Sequence, residues 1–265
     1  RQLHVSPDLD TVMYTLAGMA NPETGWGLTG DTFHSLELLR SYGADVWFNL
    51  GDRDLATHIR RTQLLREGTS LSDVTAELSR ALGVEHEIVP MSDDSVKTVL
   101  TTAEGDLAMQ EYFVKLRAEP QVKGIRYVGA ESAQPCQTMA EALAAGGLLV
   151  LCPSNPFLSL GPIIALSGVR RGVEQFAGVR GAVSPIVSGL AVRGPAAKMM
   201  AELGHDVSCL GVARQYQGLC DYFVIDHQDV GLTSAIADLG IQPVVTSIVM
   251  ESEADKILSL IHISE

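Results

Sequence analysis

Positive charge is scarce in this sequence: 19 Lys and Arg stand against 32 Asp and Glu, a formal net charge of −13. That balance opposes nonspecific binding to nucleic acid or to an anionic membrane surface. Long apolar runs are lacking too; none approaches the ~20 residues a membrane-spanning helix needs. The four cysteines, Cys136, Cys152, Cys209 and Cys220, form no Cys-x-x-Cys pair, which argues against zinc and dithiol redox motifs. They read as small buried hydrophobes in a reducing compartment, the cytoplasm by default. Any phosphate ligand must then be held by local Lys, Arg, metal or backbone N–H groups.

What is present suits one large α/β domain: 265 residues, 46% of them hydrophobic, with 25 glycines for tight connections. The apolar run Leu148–Leu151 reads as a buried parallel strand, and it stops at Cys152-Pro153-Ser154-Asn155-Pro156. A second short strand, Ala182-Val183, stops likewise at Ser184-Pro185-Ile186. The following loop passes Ser188-Gly189 to Gly194-Pro195-Ala196-Ala197-Lys198, where a helix begins. Two strands ending in polar, Gly/Pro-punctuated loops are how an open sheet builds a ligand crevice at its carboxyl edge, although ordinary βα turns use the same residues. The fold expected is a Rossmann-like open, mostly parallel sheet with helices on both faces and an inserted helical and β-hairpin region.

Two acidic stretches lie upstream. Ser6-Pro7-Asp8-Leu9-Asp10 starts a helix, with Ser6 as N-cap and Leu9, Val12, Met13 and Leu16 as its apolar stripe. Asp8 and Asp10 are either helix-start electrostatics or ligands for a metal or substrate. Asp31-Thr32 is expected to cap a helix ended by Gly43. A strand-like Val46–Leu50 then runs into Gly51-Asp52-Arg53-Asp54 and a helix over Leu55–Arg66. Alternating charges at such a junction suit an anion or Mg²⁺–phosphate site, or a capped helix with a surface ion pair. His58 is either structural or an acid–base group.

The middle is less regular. Ser70-Leu71-Ser72-Asp73 resembles a capping box, and Val96–Thr102 with Leu107–Val114 reads as a hairpin, followed by a strand at Ile125–Val128. Alternation then returns: helices over Ala196–Leu203, Gly211–Leu219 and Leu232–Leu239, strands at Tyr222–Ile225 and Gln242–Ser247, and a helix from Glu253. Asp93-Asp94 and Asp226-His227 sit in turns, where such residues are common in any case.

Taken together, the segments SPDLDTVMYTLAG, TGDTFHSLELL, LGDRDLATHIRRTQLLREG, VPMSDD, CPSNPFLSLGPI and SPIVSGLAVRGPAAKMM closely resemble the 2-phospho-L-lactate transferases that assemble the deazaflavin coenzyme F-420. They run in that family's order. The resemblance implies attack by the ribityl hydroxyl of the deazaflavin Fo on the distal phosphorus of a guanosine diphosphate ester of lactate or enolpyruvate. GMP leaves, Mg²⁺ is required, and a homodimer is expected. It implies that Asp10 and Asn49 contact Fo, and that Ser154, Asn155, Ser184 and the Gly194–Lys198 helix start lie near the nucleotide. Asn49 departs from the Lys of some relatives. With this chemistry in view, Asp8, Asp10, Asp52 and Asp54 are expected Mg²⁺ ligands, Asp10 or Asp52 is the expected proton acceptor, and Arg53 and Lys198 would offset phosphate charge.

The resemblance also implies one transferase domain over residues 1–265, with an inserted helical and hairpin region at about 53–130. Family members carry a strand and a Gly-rich loop before the Ser-Pro-Asp-Leu-Asp segment. None precedes Ser6 here and the chain opens on Arg1, so a truncated start is expected, and with it an inactive transferase as one alternative. The residues from Ile261 onward likewise do not continue the family's last helix. The other alternative is a nucleotide-sugar-binding regulator of the gluconeogenesis-factor family.

Overall fold

The computed structural model describes residues 3–250; the helix expected from Glu253 lies outside them. The chain divides into two compact units, the first holding residues 3–94 and 135–139, the second residues 95–134 and 140–250. The segment at about 53–130 is therefore shared between the two.

The first unit is helical. Helix α1 covers Pro7–Leu16, α2 His34–Ser41, α3 Asp52–Arg66 and α4 Leu71–Ala81. Pro7 opens α1, but Ser6 serves it through its carbonyl, which accepts from the Asp10 amide at 3.0 Å, and not through its side chain. The buried stripe of α1 is Asp10, Met13 and Tyr14, while Val12 and Leu16 are exposed. The stripe expected from hydrophobicity is thus rotated, and a carboxylate lies on the inward face. Met13 and Tyr14 pack with Leu28, Val84 and Ile88. Ser70 caps α4 as its spacing suggests, accepting from the Asp73 amide at 3.1 Å. Val46–Leu50 is not a strand. Its aromatic character is spent locally, Trp47 and Phe48 meeting edge to face with centroids 5.7 Å apart.

The second unit carries a small antiparallel sheet in the order β2-β1-β3, made of Lys97–Thr102 (β1), Gly105–Ala108 (β2) and Val122–Val128 (β3). The strand expected over Leu107–Val114 stops at Ala108. A π-helical turn at Glu111–Lys115 instead drops Tyr112 into a core with Leu100, Val122, Leu158 and Met199. Helix α5 spans Gln137–Ala145.

The principal sheet follows, in the order β4-β5-β8-β9, with every neighbouring pair parallel. Strand β4 is Gly147–Leu151; α6 (Gly161–Ile164) and α7 (Val169–Glu174) lead to β5, Gly178–Val183. A two-strand ribbon, β6 (Ile186–Val187) and β7 (Leu190–Ala191), then α8 (Ala196–Glu202) and α9 (Cys209–Gln215), lead to β8, Tyr222–Asp226. A 3₁₀ turn at His227–Leu232 and α10 (Thr233–Ala237) lead to β9, Gln242–Thr246. The helices expected over Gly211–Leu219 and Leu232–Leu239 are shorter than their apolar patterns suggest. The inner strands β5 and β8 carry the buried residues, Ala182, Val183, Phe223, Val224 and Ile225, as a helix-flanked parallel sheet requires.

Arg180 on β5 ties this unit together. It pairs with Asp221 and donates from Nη1 to the carbonyls of Val173, Glu174 and Gly218, so it satisfies chain ends after two helices at once. Among the described residues no helix is long and apolar enough to cross a membrane. Cys136, Cys209 and Cys220 are buried, but Cys152 is exposed, contrary to the expectation for all four; it falls just after an edge strand. Burial pushes the Cys209 and Cys220 thiols up to about 12.

Candidate functional site

In the first unit the inward face of α1 meets one face of α3 through charged side chains. Asp54, Thr57, His58 and Arg61 recur at helical spacing on α3, and Asp10 and Tyr14 face them from α1. Arg61, 1% exposed, grips Asp10 with both terminal nitrogens: Nη1 lies 3.1 Å from Oδ2, and Nη2 contacts Oδ1. Arg61 Nη1 is also 3.2 Å from His58 Nδ1. His58 in turn stands between two carboxylates, with Nδ1 3.7 Å from Asp10 Oδ2 and Nε2 3.3 Å from Asp54 Oδ1. Tyr14 donates its single proton to Asp54 Oδ1 at 2.9 Å, and Thr57 Oγ1 lies 2.8 Å from the same hydroxyl.

Burial is the strongest influence on this cluster. It pushes the Asp10 carboxyl above its ordinary value, against the opposing pull of Arg61. Burial acts upward on Asp54 as well, but His58, the Tyr14 hydroxyl and Arg61 together outweigh it and hold that carboxyl low. Tyr14 is pushed far above the usual phenol range, first by burial, and stays a hydrogen-bond donor.

Asp10, Asp54 and His58 each bring a ligand-type atom within 4.8 Å of the others, the spacing of a candidate metal triad. Mg²⁺ prefers near-octahedral oxygen ligation, and the donor set does not suit it. Both Asp10 oxygens are engaged by Arg61, Asp54 Oδ1 accepts the Tyr14 hydrogen bond, and the third member is an imidazole. Nor do the four expected aspartates converge, since neither Asp8 nor Asp52 belongs to the triad. Asp8 is exposed on the first turn of α1. Asp52 is occupied elsewhere, accepting from Thr32 Oγ1 at 2.6 Å, from the His34 amide at 3.0 Å and from the Ser35 amide at 2.9 Å. The start of α2 is therefore held by Asp52, not by Asp31-Thr32. Asp31 instead accepts from the amides of Arg53 (2.9 Å) and Asp54 (3.1 Å), at the start of α3. Arg53 is exposed and reaches the Thr29 carbonyl at 3.1 Å; Asn49 is also exposed.

Tyr14, Thr57 and Arg61 are the members of this cluster that the sequence reading did not single out as site residues. The signal was there: positions 54, 57, 58 and 61 form one helical face, and positions 10 and 14 are one turn apart.

In the second unit Ser154 and Asn155 follow β4 and Ser184 follows β5, each at the carboxyl end of a parallel strand, whereas Gly194 and Lys198 come after the β6–β7 ribbon. Asn155 Oδ1 accepts from the Phe157 and Leu158 amides at 2.9 and 3.1 Å, with Ser154 half-buried beside it. Ser184, fully buried, exchanges hydrogen bonds with Ile186: its hydroxyl lies 2.8 Å from the Ile186 carbonyl and 3.1 Å from the Ile186 amide. In the ribbon that follows, Ser188 adopts a φ of 50°, and both oxygens of buried Asp229 accept from its amide, at 3.2 and 3.1 Å. Gly194 is exposed at a φ of 69°, a conformation glycine adopts freely. Lys198 is already partnered, its Nζ 2.6 Å from Glu202 Oε1 and 2.8 Å from the Pro120 carbonyl. Asp226 caps the 3₁₀ turn, accepting from the Gln228 amide at 3.1 Å, and also takes the Ile248 amide at 3.1 Å.

Comparison with known proteins gives this architecture a family. A family model described as 2-phospho-L-lactate transferase CofD matches residues 1–254. The 2-phospho-L-lactate transferase of Methanosarcina mazei is 41% identical over 236 residues, 89% of this chain and 77% of that protein. The phosphoenolpyruvate transferase of Streptomyces griseus is 43% identical over 246 residues, 91% of this chain and 77% of that protein. The 2-phospho-L-lactate transferase of Methanothermobacter thermautotrophicus is 40% identical, covering 97% of this chain and 82% of that protein. Among solved structures, a Bacillus halodurans protein of the upf0052 family superposes with a TM-score of 0.55 at 14% identity, over 94% of this chain and 81% of that one; that likeness concerns the fold alone. On the family match and the identity of these relatives, the chain belongs to the 2-phospho-L-lactate transferase CofD family and is a transferase.

Proposed function

We propose that the protein transfers a 2-phospholactyl group, or its enolpyruvyl phosphate counterpart, from a guanosine diphosphate ester to the deazaflavin Fo. The terminal ribityl hydroxyl oxygen bonds to the distal phosphorus, the bond from that phosphorus to the GMP phosphate breaks, and the hydroxyl proton passes to a base. The products are GMP and coenzyme F-420-0 or its dehydro form. The observation that carries this reading is the family match over residues 1–254, joined by relatives named for phospholactate and for phosphoenolpyruvate transfer.

In this reading Asp10 and Asn49 contact the acceptor, Ser154, Asn155, Ser184 and Gly194 lie at the nucleotide donor, and Arg53 and Lys198 offset phosphate charge. Such transfers ask mainly for positioning and fixed electrostatics, and the sheet edge of the second unit offers rigid, hydrogen-bonded turns of that kind. Asp10 or Asp52 would take the proton. Mg²⁺ accompanies the reaction in this proposal, but since Asp8, Asp10, Asp52 and Asp54 form no common ligand set, no step is assigned to it through them. The reading further places the enzyme in the cytoplasm as a homodimer, acting on small molecules and on neither nucleic acid nor membrane.

The test is incubation with Fo, Mg²⁺ and each of the two guanosine diphosphate esters, with mass detection of the phosphodiester product. The proposal expects product from at least one donor. A folded protein that yields none, fails to quench Fo fluorescence and binds a UDP-sugar would be a regulator instead.

A further inference from the structure

We infer that Arg61 is the resident cation of the Asp10–Asp54–His58 cluster, holding Asp10 in place and closing the cluster to a divalent ion. The inference takes the proposed Mg²⁺-dependent transfer as its setting, and its principal test needs no turnover. Three observations carry it. First, the guanidinium already occupies two of the three members: it engages both Asp10 oxygens and also lies 3.2 Å from His58 Nδ1, at 1% exposure. A divalent ion added beside it would meet a fixed like charge in a site with little water to screen the repulsion. Second, few oxygen acceptors remain. With Asp10 taken and Asp54 Oδ1 bonded to Tyr14, the cluster offers Asp54 Oδ2 and one imidazole nitrogen, well short of an octahedral set. Third, two buried polar atoms of the cluster have no hydrogen-bond partner, His58 Nε2 and Arg61 Nε, and the second is a fixed donor. A buried donor wants an acceptor, and a metal ion supplies none.

The cluster is therefore a closed ion-pair joint between α1 and α3, and Arg61 acts as a positioning residue for Asp10. Any Mg²⁺ that serves the reaction binds elsewhere.

The probe is Mn²⁺, followed by electron paramagnetic resonance on the intact protein. Asp54→Asn and His58→Gln are expected to leave Mn²⁺ affinity within twofold of wild type, or to leave it absent if wild type binds none. A tenfold loss in either variant overturns the inference. Arg61→Met, checked for folding by circular dichroism, is expected to gain a Mn²⁺ site that disappears in the Arg61→Met/Asp54→Asn double variant; a folded Arg61→Met protein that gains none also overturns it. If Arg61→Met does not fold, the two wild-type-background variants still decide. In kinetics, Arg61→Lys is expected to raise KM for Fo at least fivefold while kcat falls less than twofold, a split that a purely structural joint would not produce. Absence of turnover in wild type would refute the transfer reading and leave the Mn²⁺ result standing.

Discussion

Asp31 and Asp52 each cap the helix that the other introduces. Asp31 accepts the amides of Arg53 and Asp54 at the start of α3, and Asp52, the first residue of α3, accepts the amides of His34 and Ser35 at the start of α2. Gly51 permits the approach, because a Cβ there would stand 2.1 Å from Asp31 Oδ2. One exchange of carboxylate–amide bonds thus ties the starts of the two helices together.

Loss of either cap is expected to loosen the same joint. Asp31→Ala should cost about 1 kcal/mol by urea denaturation, the usual value of an N-cap. Asp52→Ala should lower the midpoint in the same direction, and the double variant should cost less than the sum because the two caps share a geometry. Gly51→Ala should be worse than Asp31→Ala, since the methyl displaces the carboxylate and adds a steric clash.

Acid should undo the joint. Hydrogen bonds, led by that from the Thr32 hydroxyl and followed by those of Ser35 and the His34 amide, hold the Asp52 carboxyl well below the usual carboxylate range. Its folded value lies below its unfolded value, so its stabilisation is complete above about pH 4 and is lost as pH falls through the folded value. Stability measured from pH 6 downward should therefore fall less steeply in Asp52→Asn than in wild type; equal slopes would contradict the assignment.

The buried pair in the first unit should show the asymmetry of internal charges. Asp10→Asn or Arg61→Met alone leaves an uncompensated buried charge and should cost about 3–5 kcal/mol. The Asp10→Leu/Arg61→Met pair should recover part of that loss, because both charges leave together. A double-mutant cycle in urea checks the sign of the coupling.

Arg180 in the second unit makes a separate prediction. Arg180→Met removes one partner from Asp221 and three carbonyls, and should cost about 2 kcal/mol once the partial exposure of Asp221 is allowed for. Because its partners Val173, Glu174, Gly218 and Asp221 precede β5 or β8 and do not belong to the turns after β4 and β5, KM for the donor should stay within twofold in the folded fraction.

Leu148–Leu151 and Tyr222–Ile225 were legible as strands because they are apolar runs bounded by turn residues, but Leu148 and Val150 are exposed on an edge strand and not buried as expected, and β5 begins at Gly178, ahead of the expected Ala182-Val183. Arg61 was less legible. Its helical register with Asp54 and His58 can be read along α3, but its partner Asp10 is 51 positions away and depends on α1 turning a carboxylate inward. The exchange between Asp31 and Asp52 is of the same kind; each acid looks like the cap of its own neighbourhood until the helices meet. Val46–Leu50 misleads for the opposite reason, since Trp47 and Phe48 satisfy each other and need no sheet. In the second unit the turns that hold Asn155 and Ser184 were legible from their turn chemistry, whereas Asp229 holding Ser188 joins two loops 41 positions apart.

The transfer reading stands or falls on stoichiometry. Wild-type protein should be incubated with Fo, Mg²⁺ and each guanosine diphosphate ester, and GMP and the phosphodiester product of Fo quantified by chromatography over the same time course. One GMP per product molecule with at least one donor is the result predicted; GMP without Fo product, or neither from folded protein, would contradict it.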